Sequence, residues 1–221
     1  MKSTRKMASV IAMTMATLVL WTVATEPADI TLPTPRMEGG KPLMQALKER
    51  QSSRAFSMRP LPAQMVADLL WAAFGINRPE SGKRTAPSAK NWQEVEVYAV
   101  MPEGAYIYDA KANCLRAIAK GDLRKLTGSQ AFMATTPLCL VYVADATQMK
   151  GTSAGDQMLY SSADVGFISQ NVYLFCASEG LATVVVGGVN RDALAKALNL
   201  PDHKQIIFAQ PVGDPAAAGS P

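Results

Sequence analysis

Two short polar stretches and a glycine pair hold the residues best suited to chemistry. In ERQSSRAF, Arg50 and Arg54 bracket Gln51, Ser52 and Ser53, so two guanidinium forks and two hydroxyls share one loop. Arginine binds phosphate oxygens bidentately, which makes the loop a reasonable phosphate cradle. The same residues would also serve as the solvated, charged end of a helix, and residue types alone leave both readings open. In RTAPSAKNWQ, Pro87 and Ser88 can fix a turn that carries Ala89, while Asn91 offers a donor and an acceptor together. That set suits the edge of a polar planar ligand, or an ordinary turn before a strand. In VVVGG, Gly187 and Gly188 allow a backbone to approach a flat ligand closely, or simply end a strand.

Several other chemistries are excluded. His203, in the loop LPDHK, is the single histidine, so a metal cluster built on several imidazoles is impossible. A Ser-His-Asp triad would depend on that one ring, which reads as a surface residue. Neither GxGxxG nor GxxxxGK occurs, so Rossmann and P-loop nucleotide sites are not indicated. Cys114, Cys139 and Cys176 are widely spaced, and the last two lie in apolar runs that read as core; neither a disulfide framework nor a zinc site is expected.

The elements that must position these loops follow from pattern. Residues 1–24 join a basic start (Lys2, Arg5, Lys6) to an apolar run and the small residues of Thr22-Val23-Ala24, the pattern of a cleaved secretory signal peptide. An exported, periplasmic protein is expected, with an uncleaved membrane anchor as the alternative. Removing that segment deletes three of the 22 basic residues and none of the 18 acidic ones, leaving a net charge of about +1. No basic face for nucleic acid is legible. Residues 25–40, rich in Pro and ending in two glycines, read as an extended leader, and 41–215 as one domain with a flexible tail at 216–221.

Within the domain, helices are expected at 43–47 and 61–77 and over 114–135, a hairpin from EVEVYAVM and AYIYD, and a central strand from PLCLVYVAD. A mobile loop at 145–160 should precede a helix at 158–179 that is apolar on nearly every side. LATVVVGG then reads as a buried strand, NRDALAKALNL as a helix capped by Asn190, and QIIFAQPVG as the last strand. Helices and strands mingle without a regular βαβ repeat, which gives an α+β, or mixed α/β, domain.

The order of these motifs along the chain is distinctive. Arg50 to Phe56, Pro87 to Gln93, Ala163 to Gly166 leading into Gln170 to Leu174, then Gly180-Leu181, Gly187-Gly188 and Pro211 to Gly213, resemble the FMN-dependent nitroreductase family over about residues 41–215. RTAPSA is especially similar to the branch that includes the dehydrogenases of thiazole and oxazole peptide synthesis. The resemblance implies a three-layer fold, with a mixed, mainly antiparallel sheet between helices. It also implies an intertwined homodimer with FMN at the subunit interface. Arg50, Gln51, Ser52 and Arg54 would hold the ribityl phosphate. Pro87, Ser88, Ala89 and Asn91 would lie along the isoalloxazine, and the backbone at Gly187 and Gly188 would face flavin N5. The implied activity is hydride transfer from a reduced donor, NADH or NADPH, to a small organic acceptor. A flavin- or small-ligand-binding protein without efficient turnover is the rival. Two departures stand out: Gly187 occupies a position where many members have Glu, and no Lys or Arg follows Lys204. Phosphate binding would then lean on Arg50 and Arg54, with Arg84 or Lys83 as further candidates.

Overall fold

The computed structural model describes residues 27–217. In chain order the elements are β1 (Ile30–Thr31), α1 (Leu43–Glu49), α2 (Ala63–Phe74), β2 (Ile76–Arg78), β3 (Lys83–Arg84), β4 (Val95–Met101), β5 (Gly104–Asp109), β6 (Cys114–Lys120), β7 (Leu138–Asp145), α3 (Ala154–Glu179), β8 (Ala182–Thr183), α4 (Arg191–Ala197) and β9 (Lys204–Gly213). Seven strands form one sheet in the order β1-β6-β5-β4-β7-β9-β8, and every pairing is antiparallel. The expected mainly antiparallel sheet is antiparallel throughout the described residues, and the α+β class holds.

Both faces of the sheet are buried, which is why its central strand β7 reads as a continuous apolar run. Val97 and Ala99 of β4, with Leu140 and Tyr142 of β7, pack with α2 and α3 on one face. Their neighbours Tyr98, Val100, Val141 and Val143 face a second core with Met133, Leu194 and Leu198. The result is a layered domain with α2 and α3 on one side and α4 on the other.

Four expectations change. The span 114–135 is not a helix: β6 pairs with β5, placing Leu115 against Tyr108, and Gly121 (φ 91°) turns the chain. Leu115 and Ile118 satisfy a helical spacing, but the open ladder of β5 takes this segment as its next strand. Residues 30–36 are part of the fold rather than a tether. Ile30 pairs with Leu115, Leu32 is buried, and Arg36 donates from N and Nε to Asp68 at 2.7 and 2.8 Å. The α2 helix stops at Phe74, and the supposed loop beyond it folds into the β2-β3 hairpin. Finally, α3 begins at Ala154, inside the supposed mobile loop, because Ser153 caps it by accepting from Asp156 N.

At its other end α3 closes on Gly180, whose φ of 74° is the left-handed conformation that glycine adopts without strain. The sheet-facing stripe of α3 carries Asp164, Val165, Ile168, Val172 and Cys176. Its opposite face leaves Leu159 65% and Phe167 47% exposed. The signal peptide expected at 1–24 lies outside the described residues. The tail is tied down at its start, where Ala216 N donates to Ala55 O at 3.1 Å.

Candidate functional site

The first loop leaves α1 at Arg50, whose N–H still bonds Ala46 O at 2.9 Å. Ser53 N then donates to Thr183 O at 2.9 Å, tying the loop to β8. Tyr173, on α3, organises the rest. Its hydroxyl accepts from Val185 N at 2.9 Å and meets Ser52 Oγ at 3.0 Å, while the Arg50 guanidinium lies 5.3 Å from its ring centroid. One phenol thus orients the loop, the strand end and a cation at once.

Beside it opens a cavity of about 510 Å³, within the ~300–1,000 Å³ typical of small-ligand sites. Lys41, Lys48, Arg50, Gln51, Ser53 and Tyr173 contribute to its wall. Glu49 also lines it and holds Lys41 Nζ at 2.7 Å. Three cations against one carboxylate give the cavity a net positive character that suits an anionic group. Lys41 and Lys48 were not legible as site residues, because one precedes and one closes a helix that reads simply as a charged surface. Arg54 is exposed and does not line this cavity.

The second loop is strained and over-determined. Lys90, Asn91 and Gln93 have φ of 49°, 55° and 49°, left-handed values that cost on the order of 1 kcal/mol each for residues other than glycine. Hydrogen bonds hold the conformation. Gln93 N donates to Ser88 Oγ at 2.8 Å, Gln93 Nε2 donates to Gly82 O and Asn91 Oδ1 at 3.2 Å each, and Arg84 Nε donates to Gln93 Oε1 at 2.8 Å. Ala89 N donates to Asp164 Oδ2 at 2.8 Å, fastening the loop to α3. Pro87 and Asn91 are exposed, and with Oδ1 engaged Asn91 keeps its NH2 group as a donor. Arg84 is a brace rather than a phosphate ligand: it also donates to Phe74 O at 2.7 Å and stacks 4.5 Å from the Phe74 ring centroid.

Beneath this loop Glu94 is fully buried, and neither of its carboxylate oxygens has a hydrogen-bond partner. Burial, reinforced by the neighbouring Asp164 carboxyl, pushes Glu94 up to about 7. Burial raises Asp164 as well, against the opposing effect of the Ala89 N–H.

Gly187 and Gly188 are exposed beyond Val186, which exchanges backbone hydrogen bonds with Ala209 at 2.7 and 3.0 Å. Neither glycine is left-handed, so the missing side chain is what matters. A Cβ on Gly187 would meet nothing nearer than the Phe208 ring at 3.8 Å, leaving its backbone face open. Arg191 reaches the Gly187 carbonyl at 3.2 Å and donates to Ile206 O and Ile207 O. The two loops sit on α3 at Asp164 and Tyr173, about 13 Å apart along the axis at 1.5 Å per residue. The cavity at Arg50 contains none of residues 87–91.

This arrangement of elements and loops is shared with other proteins. The Nitroreductase family model matches residues 47–214. The chain belongs to the nitroreductase family. A crystal structure from Ralstonia eutropha JMP134, described as a nitroreductase, is 40% identical, covers 88% of this chain and 93% of its own, and superposes with a TM-score of 0.83. A protein of Methanocaldococcus jannaschii named as a nitroreductase is 28% identical over 181 residues, 77% of this chain and 90% of its own length. The NADPH:FMN oxidoreductase of Vibrio harveyi, solved with NAD+, shares the fold at 22% identity and a TM-score of 0.59, over 79% of this chain and 69% of its own. Membership of the nitroreductase family implies flavin-dependent oxidoreduction.

Proposed function

We propose that the chain is an exported, homodimeric FMN-dependent oxidoreductase that takes hydride from NADH or NADPH and delivers it to a small organic acceptor. The observation that carries this reading is the cation-lined cavity organised on Tyr173, together with the strained polar loop fastened further along the same helix. Arg50, Lys48 and Lys41 would bind the phosphate, with Gln51 and the Ser52 and Ser53 hydroxyls as donors. Arg54, exposed at the loop's end, could close over it on binding. Pro87, Ser88 and Ala89 would lie along the isoalloxazine, with Asn91 as a donor to its polar edge. The Gly187 and Gly188 backbone would approach the ring, because no side chain blocks it. When bound, FMN supplies the redox chemistry that none of these side chains can perform.

A second copy completes the site in this reading. Leu43, Met44 and Leu47 of α1 and Leu159 and Phe167 of α3 are large apolar side chains left exposed on neighbouring helices. Pairing these faces would bury them and allow one subunit's loop 87–91 to meet the cavity of the other. The Vibrio harveyi relative, by its name an NADPH:FMN oxidoreductase, supports the choice of cofactor and donor.

Anaerobic mixing of the FMN-loaded full chain with NADH or NADPH tests the turnover step. Loss of the oxidised flavin absorbance, restored by a quinone or nitroaromatic acceptor, is expected. Bound flavin that neither donor bleaches would make the protein a flavin binder instead.

A further inference from the structure

The buried, unpartnered carboxyl of Glu94 lies beside that of Asp164, directly under the loop whose left-handed residues Ala89 fastens to α3. The Glu94 backbone cannot move away to relieve the contact: its carbonyl accepts from Asp145 N at 2.9 Å, and Val95 begins β4 directly after it. Its side chain is sealed from solvent, and neither oxygen makes a well-formed hydrogen bond. Two facing acceptors repel, and a single proton between them turns that repulsion into a hydrogen bond.

The other polar groups around the pair do not replace that proton. On α3 the Ser161 hydroxyl, 3.5 Å from Met149 Sδ, favours the charged form of Glu94 but is outweighed by burial and the Asp164 carboxyl, and on the loop the Ala89 N–H is already given to Asp164. Arg84 is engaged by Gln93 and Phe74 O, and Lys204 of β9 is engaged by Glu96 at 2.6 and 2.7 Å. Asp145, at the end of β7, holds Thr147. Asp202 and His203 border the cavity that Ser161 lines.

Taking the flavin reading above as its basis, we propose that Glu94 and Asp164 are positioning residues that share one proton, and that this proton holds loop 88–93 in the left-handed conformation that receives the flavin edge. With the proton present, Asp164 remains an acceptor for Ala89 N–H while Glu94 is neutral. When the proton leaves for solvent, two buried carboxylates stand together. The strained loop, fastened to the pair through Ala89, is the part least costly to release.

The sign follows from the proton affinities. Glu94 holds its proton up to about 7 in the folded chain against an ordinary value of 4.5. The folded state therefore binds more protons between these values, and stability falls as pH rises through that window.

Amide hydrogen exchange of residues 88–93 in the full chain without flavin, corrected for the intrinsic rate, reads the loop directly. Exchange should accelerate by at least roughly fivefold between about pH 6 and 8 in the wild type, and stay flat in Glu94→Gln, which mimics the protonated state. Asp164→Asn should flatten it as well, giving a second route should the first variant fold poorly. A wild-type loop without this transition, or a Glu94→Gln variant that retains it, overturns the proposal. FMN affinity measured over the same range separates the two readings. Weaker binding at pH 8 in the wild type, abolished in Glu94→Gln, supports both. A loop transition in a protein that binds no FMN at any pH would leave the proton pair intact and remove the flavin.

Discussion

Tyr173 does the most organising per atom, because its hydroxyl joins Ser52 to Val185 while its ring backs Arg50. Removing that hydroxyl leaves the Val185 N–H without its partner, a loss of about 1–2 kcal/mol. Tyr173→Phe should therefore weaken FMN binding by about tenfold in a fluorescence titration; unchanged affinity would show that the phenol does not position the loop. Arg50, Asn91 and the glycine pair were legible from the sequence because their neighbours form recognisable short motifs. Lys41, Glu94, Asp164 and Arg191 were not legible as partners, since their roles depend on contacts such as Ala89 with Asp164 that only the fold creates. Glu94 carried a faint signal, an acid directly before a buried strand.

At the scale of elements, β7 was readable from its continuous apolar run, which a strand covered on both faces demands, while β4 was readable from its alternation and hairpin turn and β9 as the closing strand. The capped helix at Asn190 was readable for a local reason, its side chain accepting from Ala193 N. What misled was edge structure. β6 carries a helix-compatible spacing, and β1 is a two-residue strand whose place is set by an open ladder rather than by its own composition. The contribution of this N-terminal stretch can be measured through Arg36. Asp68 is buried and depends on the Arg36 amide and guanidinium, so Arg36→Ala should destabilise the fold by about 1–3 kcal/mol in urea unfolding. An unchanged midpoint would make residues 30–36 an ornament of the surface.

For the whole molecule, a layered core positions two loops along one long helix while leaving that helix's outer face apolar and exposed. Both features make sense if the cofactor lies where two chains meet. The absence of a basic residue after Lys204 ceases to be an obstacle once Lys41 and Lys48 join Arg50 in the cavity wall. The most direct test is to incubate the full chain with excess FMN, remove unbound ligand, and record the absorption spectrum for the wild type and for Arg50→Ala. Flavin bands retained by the wild type and largely lost in the variant are expected, because a guanidinium bound to phosphate contributes strongly to affinity. A wild-type protein that stays colourless would contradict the account and show that this chain keeps the family's fold without its cofactor.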